Sequence, residues 1–300
     1  TIHSSLHTPM NKTLTRILQT LGLAKEHSQN NSPRTSEQST LESTTEERFA
    51  QLVLKAGAVL QKAELNGQFD ESQFYIRTDG TPIEHTQLSI CADELRLFEL
   101  AVKYRGAPQD YFYRGTARQR LGNLLNGTEK IEQYKLALED FAKFQDEEQR
   151  TTLLHRRGTT KANLARLLTG QESKELYQES ITDLELEVLR IGDANDYSWL
   201  GSTEIRYATT HLQGTEREET LNKAVLHLDT SITIQETTGA HYWRARANEE
   251  LAEGTTTTPH QKREYLERAL KDYQHSYELE EDENVLESIE ELKEEITELF

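Results

Sequence analysis

Tyr-Phe-Tyr-Arg-Gly-Thr-Ala-Arg-Gln-Arg-Leu-Gly at 111–122, completed by Ala-Leu-Glu-Asp-Phe-Ala-Lys-Phe at 137–144, is a phrase that this chain states four times. Gly115, Gly158, Gly201 and Ala245 mark its first half, at intervals of 43, 43 and 44 residues. Ala137, Ser180, Ala224 and Ala269 mark its second half, at intervals of 43, 44 and 45. A period of roughly 20–50 residues signals stacked units, each burying its apolar face only against its neighbours. Each copy reads as a helix A, a Gly-marked stop and a helix B, and a short connection forces the two antiparallel. The spacing predicts A helices over about 110–126, 151–169, 196–213 and 240–253, with stops at Gly127, Gly170, Gly214 and Gly254. B helices are expected over about 129–146, 172–190, 216–236 and 260–280. The fold class is all-α.

Outward from the repeats, residues 46–105 read as a divergent helical pair: Phe49, Leu52, Val53, Ala56, Val59, Leu60 and Ala63 form one stripe, and a second helix spans about 86–104. An insert, 68–85, separates them. A last helix, about 283–299, places Val285, Ile289, Leu292, Ile296 and Leu299 on a narrow seam, and its acidic flanks fit an end cap better than a dimeric coiled coil. Residues 26–45 are rich in Ser, Thr, Gln and Asn and read as a disordered linker. Ahead of it, residues 1–25 contain no acid, and Leu14, Ile17, Leu18 and Leu21 recur at helical spacing beside Lys12 and Arg16. Two readings stand for residues 10–25: a short helix or frayed terminus on the array, or an interfacial or organelle-targeting helix. The domain plan is therefore 1–45, 46–105, 106–280 and an acidic capping helix at 281–300.

One covariation runs through the copies. Arg114, Arg157, Leu200 and Arg244 stand just before the small residue, and Asp140, Asp183, His227 and Asp272 stand three past the helix-B mark. Where Arg is present Asp is present, and the third copy loses both. An A-to-B ion pair is expected in three copies: Arg114–Asp140, Arg157–Asp183 and Arg244–Asp272.

The phrase at 111–122 and 137–144, and Ala-Leu-Lys-Asp-Tyr at 269–273, resemble a tetratricopeptide repeat over roughly residues 105–280 and weakly over 46–105. The resemblance implies an α-solenoid of antiparallel helix pairs: four clear repeats, one divergent N-terminal pair and a C-terminal cap. These units exceed the family's roughly 34 residues by about ten. Arg118, Lys161, Glu204 and Asn248 stand where the family often has an aromatic, and Ser180 replaces a helix-B Ala. The family's Lys-x3-Asn carboxylate-clamp pattern is not reproduced.

The resemblance puts A helices on a concave face, with the position five past the small mark (Arg120, Asn163, Arg206, Glu250) often turned inward. The formal charge of −18 disfavours nucleic acid and anionic lipid. Yet 111–126 and 151–169 hold basic residues and no acid. Arg118, Arg120, His155, Arg156, Lys161, Asn163, Arg166, Arg206 and Arg246 are the groove candidates. A basic groove in an acidic molecule suits an acidic, phosphorylated or C-terminal peptide segment. The expected function is a scaffold or adaptor binding a protein or peptide partner. The alternative is a structural assembly factor acting through its convex face, its C-terminal helix or a membrane-peripheral N-terminal helix. No apolar run reaches the roughly 20 residues of a membrane span, and the lone Cys91 fits a buried thiol in a reducing, cytoplasm-like compartment. There is no Gly-rich phosphate loop, G-x-S-x-G or Cys/His metal spacing, so no enzyme, metal or cofactor is expected.

Overall fold

The computed structural model describes residues 87–104, 106–144, 150–255 and 257–299. The expected first helix, the insert at 68–85 and the segments at 10–25 and 26–45 lie outside the described residues. Those described form ten α-helices and no strand. They fall into two compact units, one ending at residue 146 and the other beginning at 147.

The first unit contains α1 (Gln87–Tyr104), α2 (Pro108–Leu124) and α3 (Gly127–Ala142), each packed on the next. Pro108 opens α2 at a position whose N–H has no helical partner anyway, and Asp110 accepts from the Ala107 N–H at 2.9 Å to close the first turn. Phe98, Phe112, Tyr134, Ala137, Phe141 and Phe144 form its interior. Cys91 is also buried there, and burial together with Glu94 pushes its thiol up to about 11. It is an unreactive packing group.

The second unit contains α4 (Arg150–Ala165), α5 (Gly170–Arg190), α6 (Ala194–His211), α7 (Gly214–Ile234), α8 (Thr238–Ala252), α9 (Pro259–Leu279) and α10 (Glu283–Glu298). Thus α4–α5, α6–α7 and α8–α9 are the A–B pairs of copies two to four, and α2–α3 is the first. Helices of a pair pack most extensively on each other, and each B helix packs less extensively on the A helix that follows. Across copies, α4 touches α6 and α6 touches α8, and no two B helices meet comparably. The A helices are therefore drawn together on one side of this unit. One core runs through α4 to α8 via Tyr177, Ile205, Leu221, Leu228 and Leu251. A second joins Ala245 and Ala252 of α8 to Leu266, Ala269 and Tyr273 of α9 and to Val285, Ile289 and Leu292 of α10.

The A–B corners differ in kind. Gly127, Gly170 and Gly214 take φ of 59°, 69° and 55°, a left-handed conformation costly for residues bearing a Cβ, and each is the first residue of its B helix rather than the stop of its A helix. At the fourth corner Thr258 accepts from the Gln261 N–H, Gln261 answers on the Thr258 N–H, and Pro259 begins α9.

Candidate functional site

The expected ion pairs decide which cations remain without a carboxylate partner. Arg114 donates to Asp140 through Nε at 2.9 Å and Nη2 at 2.5 Å. Arg157 grips Asp183 in the same bidentate way, with Nε at 2.8 Å. Arg244 does so with Asp272, at 2.8 and 2.5 Å, and reaches Asp229 of the preceding B helix at 2.6 Å.

Four residues read as groove candidates belong to this framework instead. Arg118 donates to Asp140 at 2.7 Å and to the Leu136 carbonyl at 3.3 Å. Lys161 reaches Asp183 and Glu179, each at 2.9 Å. The physical reason is helix geometry: the residue before the small mark and the one three past it are four apart, on one face of helix A, so both reach the same carboxylate. Arg120 pairs with Glu94 of α1 at 3.0 Å, and that carboxylate side chain is 1% exposed. His155 meets Asp196 of α6 at 2.7 Å. The third copy keeps an A-to-B contact with the carboxylate moved to helix A: Glu204 faces His227 on helix B at 2.7 Å. Burial raises the Glu204 carboxyl above its ordinary value and His227 opposes the rise. In the fourth copy Asn248 turns its amide to the Arg244 carbonyl, while Arg246 bonds to Glu249 and Glu250.

Asn163, Arg166 and Arg206 converge on one recess in the second unit, walled by three successive A helices. Asn163 of α4 and the Arg166 that follows it form one side. Ser198, Trp199, Ser202, Thr203 and Arg206, one face of α6, form the floor. Gly239 and Trp243 of α8 complete it. No lining residue is acidic. The Arg206 guanidinium lies over the Trp243 ring, 4.4 Å from its centre, so one face of the cation is seated on the indole. Burial first, then the like charges of Arg166 and Arg246, hold Arg206 below its ordinary pKa. Among the described residues neither Arg166 nor Arg206 has a carboxylate partner. Ser202 and Thr203 turn their hydroxyls to the Trp199 carbonyl, at 3.0 and 2.7 Å. Arg156 engages other groups and does not line this recess.

Both tryptophans of the chain sit here, and neither is among the groove candidates read from the sequence. A signal for them exists: they stand two residues before the small mark and seven before the position five past it, where Arg206 stands on α6, which is two helical turns and hence the same face.

Beside the His155–Asp196 contact lies a second unusual group. Glu187 of α5 is 2% exposed and its Oε2 has no hydrogen-bond partner. Burial, then Asp196 and Asp193, push its carboxyl from 4.5 up to about 7. Folding therefore favours the proton between those values, so this contribution is full below 4.5 and fades as pH rises through about 7. Glu187→Gln, whose amide donates where the ionised carboxylate repels, is expected to raise Tm at pH 8 and to leave it nearly unchanged at pH 4. Equal shifts at both pH values, read by thermal melts, would contradict this.

Comparison of the chain with family models yields no match, and comparison with curated proteins yields none either.

Proposed function

We propose that this protein is a helical-repeat adaptor of tetratricopeptide type and that its second unit holds an acidic peptide segment along its A helices. The supporting observation is the recess on α4, α6 and α8, which gathers both tryptophans and two arginines that have no carboxylate partner among the described residues, in a chain of net charge −18. The contact of A helix with A helix favours a concave A face, as in a superhelical stack. Arg offers paired donors to carboxylate or phosphate, and an indole face takes the neighbouring apolar side chain.

The test is retention of degenerate acidic peptides by the full chain, with and without Arg206→Glu. Wild type is expected to retain them at low salt and release them as salt rises, and Arg206→Glu to lose retention at unchanged Tm. Arg120→Glu supplies the contrast: beside Glu94 it lowers stability and leaves specific retention intact. Retention that ignores Arg206 removes the proposal.

A structural assembly factor is the second reading, and it rests on apolar side chains that the B helices show to solvent. Leu189 of α5 is 80% exposed and Leu226 of α7 is 64% exposed. If that surface organises copies of the chain, Leu189→Glu with Leu226→Glu lowers the mass seen by light scattering at micromolar concentration, and Arg206→Glu does not.

No helix among the described residues is long and apolar enough to cross a membrane.

A further inference from the structure

We infer that the group seated in the recess is a phosphomonoester on a peptide, a phosphoserine or phosphothreonine, in preference to a side-chain or terminal carboxylate; this rests on the peptide-binding reading above. Charge decides it. Arg166 and Arg206 line the recess with no acid among its walls, so two positive charges await compensation. One carboxylate neutralises one of them and leaves the other facing its neighbour. A phosphomonoester brings about −1.5 to −2 at pH 7 and three strong acceptor oxygens.

The donors suffice for three such oxygens. Two guanidinium edges are joined in the lining by the Asn163 amide and the Ser198 hydroxyl, both without a hydrogen-bond partner among the described residues. The Ser202 and Thr203 hydroxyls are already spent on the Trp199 carbonyl, so the accessible donors are the two arginines, Asn163 and Ser198. Trp243 seats Arg206 from behind, which fixes the fork before a ligand arrives and reduces the ordering cost of binding. Trp199 leaves an aromatic surface for the residue beside the phosphorylated one.

The test uses the full chain and three degenerate peptide pools with identical flanks, bearing phosphoserine or phosphothreonine, Glu, or a free C-terminal carboxylate at the fixed place. Tryptophan fluorescence reads occupancy directly, since both indoles line the recess. The phosphorylated pool is expected to bind about tenfold tighter than the Glu pool or more. Arg166→Gln and Arg206→Gln should each remove that preference while leaving the melting curve in place, and Arg206→Lys should restore only part of it. Equal or tighter binding of the Glu or C-terminal pool overturns the phosphate assignment and leaves the acidic-peptide reading standing. Failure of all three pools overturns both. Inorganic phosphate competing as well as the phosphopeptide, or binding confined to vesicles carrying phosphoinositides, overturns the assignment to a peptide.

Discussion

Asp140→Ala is expected to destabilise the first unit by about 3–5 kcal/mol, the loss seen when one partner leaves a buried ion pair and strands the other. The carboxylate removed is 1% exposed and serves two cations, Arg114 and Arg118, whose side chains are only 14% and 11% exposed. Arg118 is already burdened: burial lowers its pKa, and its Nε has no hydrogen-bond partner. Without Asp140 two guanidiniums would face each other with little access to water. Urea denaturation followed by circular dichroism measures the loss. A second variant separates stranded charge from lost packing: Asp140→Leu with Arg114→Met and Arg118→Met should recover most of the deficit, because apolar groups of similar volume replace buried ions at little cost. A loss below about 1 kcal/mol for Asp140→Ala would mean that water reaches these arginines after all.

Gly201→Ala is the second large effect, and its sign is opposite to what propensity predicts. Ala is favoured over Gly within a helix by about 1 kcal/mol. At this position, however, an added Cβ would stand 2.7 Å from Leu228 Cγ and 3.1 Å from the Ala224 carbonyl oxygen. Leu228 is fully buried and cannot swing aside. Overpacking of this kind costs typically about 1–3 kcal/mol, so a net loss is expected in thermal melts. Gly239 is the control: it is helical, an added Cβ meets nothing within 4 Å, and Gly239→Ala should be neutral or mildly stabilising. The cycle of Gly201→Ala with Leu228→Ala should show strong positive coupling, since the smaller residue on α7 vacates the space that the new methyl group needs. A Gly201→Ala variant more stable than wild type would place the helices further apart than described.

The helices are legible in the sequence because their punctuation is strong. The span expected at 196–213 is observed at Ala194–His211, and that at 283–299 at Glu283–Glu298. Periodicity and caps act within a few residues of the chain, which is the range over which a sequence can be read directly. The pairing of Arg114, Arg157 and Arg244 is legible for another reason: copies compared with one another supply the register between helices A and B. Where that comparison gives nothing, the reading fails. Glu94 lies on α1, outside the clear copies, so no spacing announces its contact with Arg120. Arg118 and Lys161 read as ligand groups because a cation looks the same on paper whether it faces a carboxylate or solvent. Trp199 and Trp243 escape notice because aromatics near a small residue fit a core equally well. The move of the carboxylate to helix A, at Glu204 opposite His227, hides a contact that the neighbouring copies make plain.

The hierarchy of contacts in the second unit has a mechanical consequence. Within each copy the helices share the larger interface, the small-residue seam and the buried lock. Between copies the interface is smaller, and ties such as Arg244–Asp229 and Arg217–Glu250 lie partly in water. Under tension this unit should lengthen by parting hairpin from hairpin while each hairpin stays shut. The step of such an extension would be one whole copy, and stretching would spread the three A helices that line the recess.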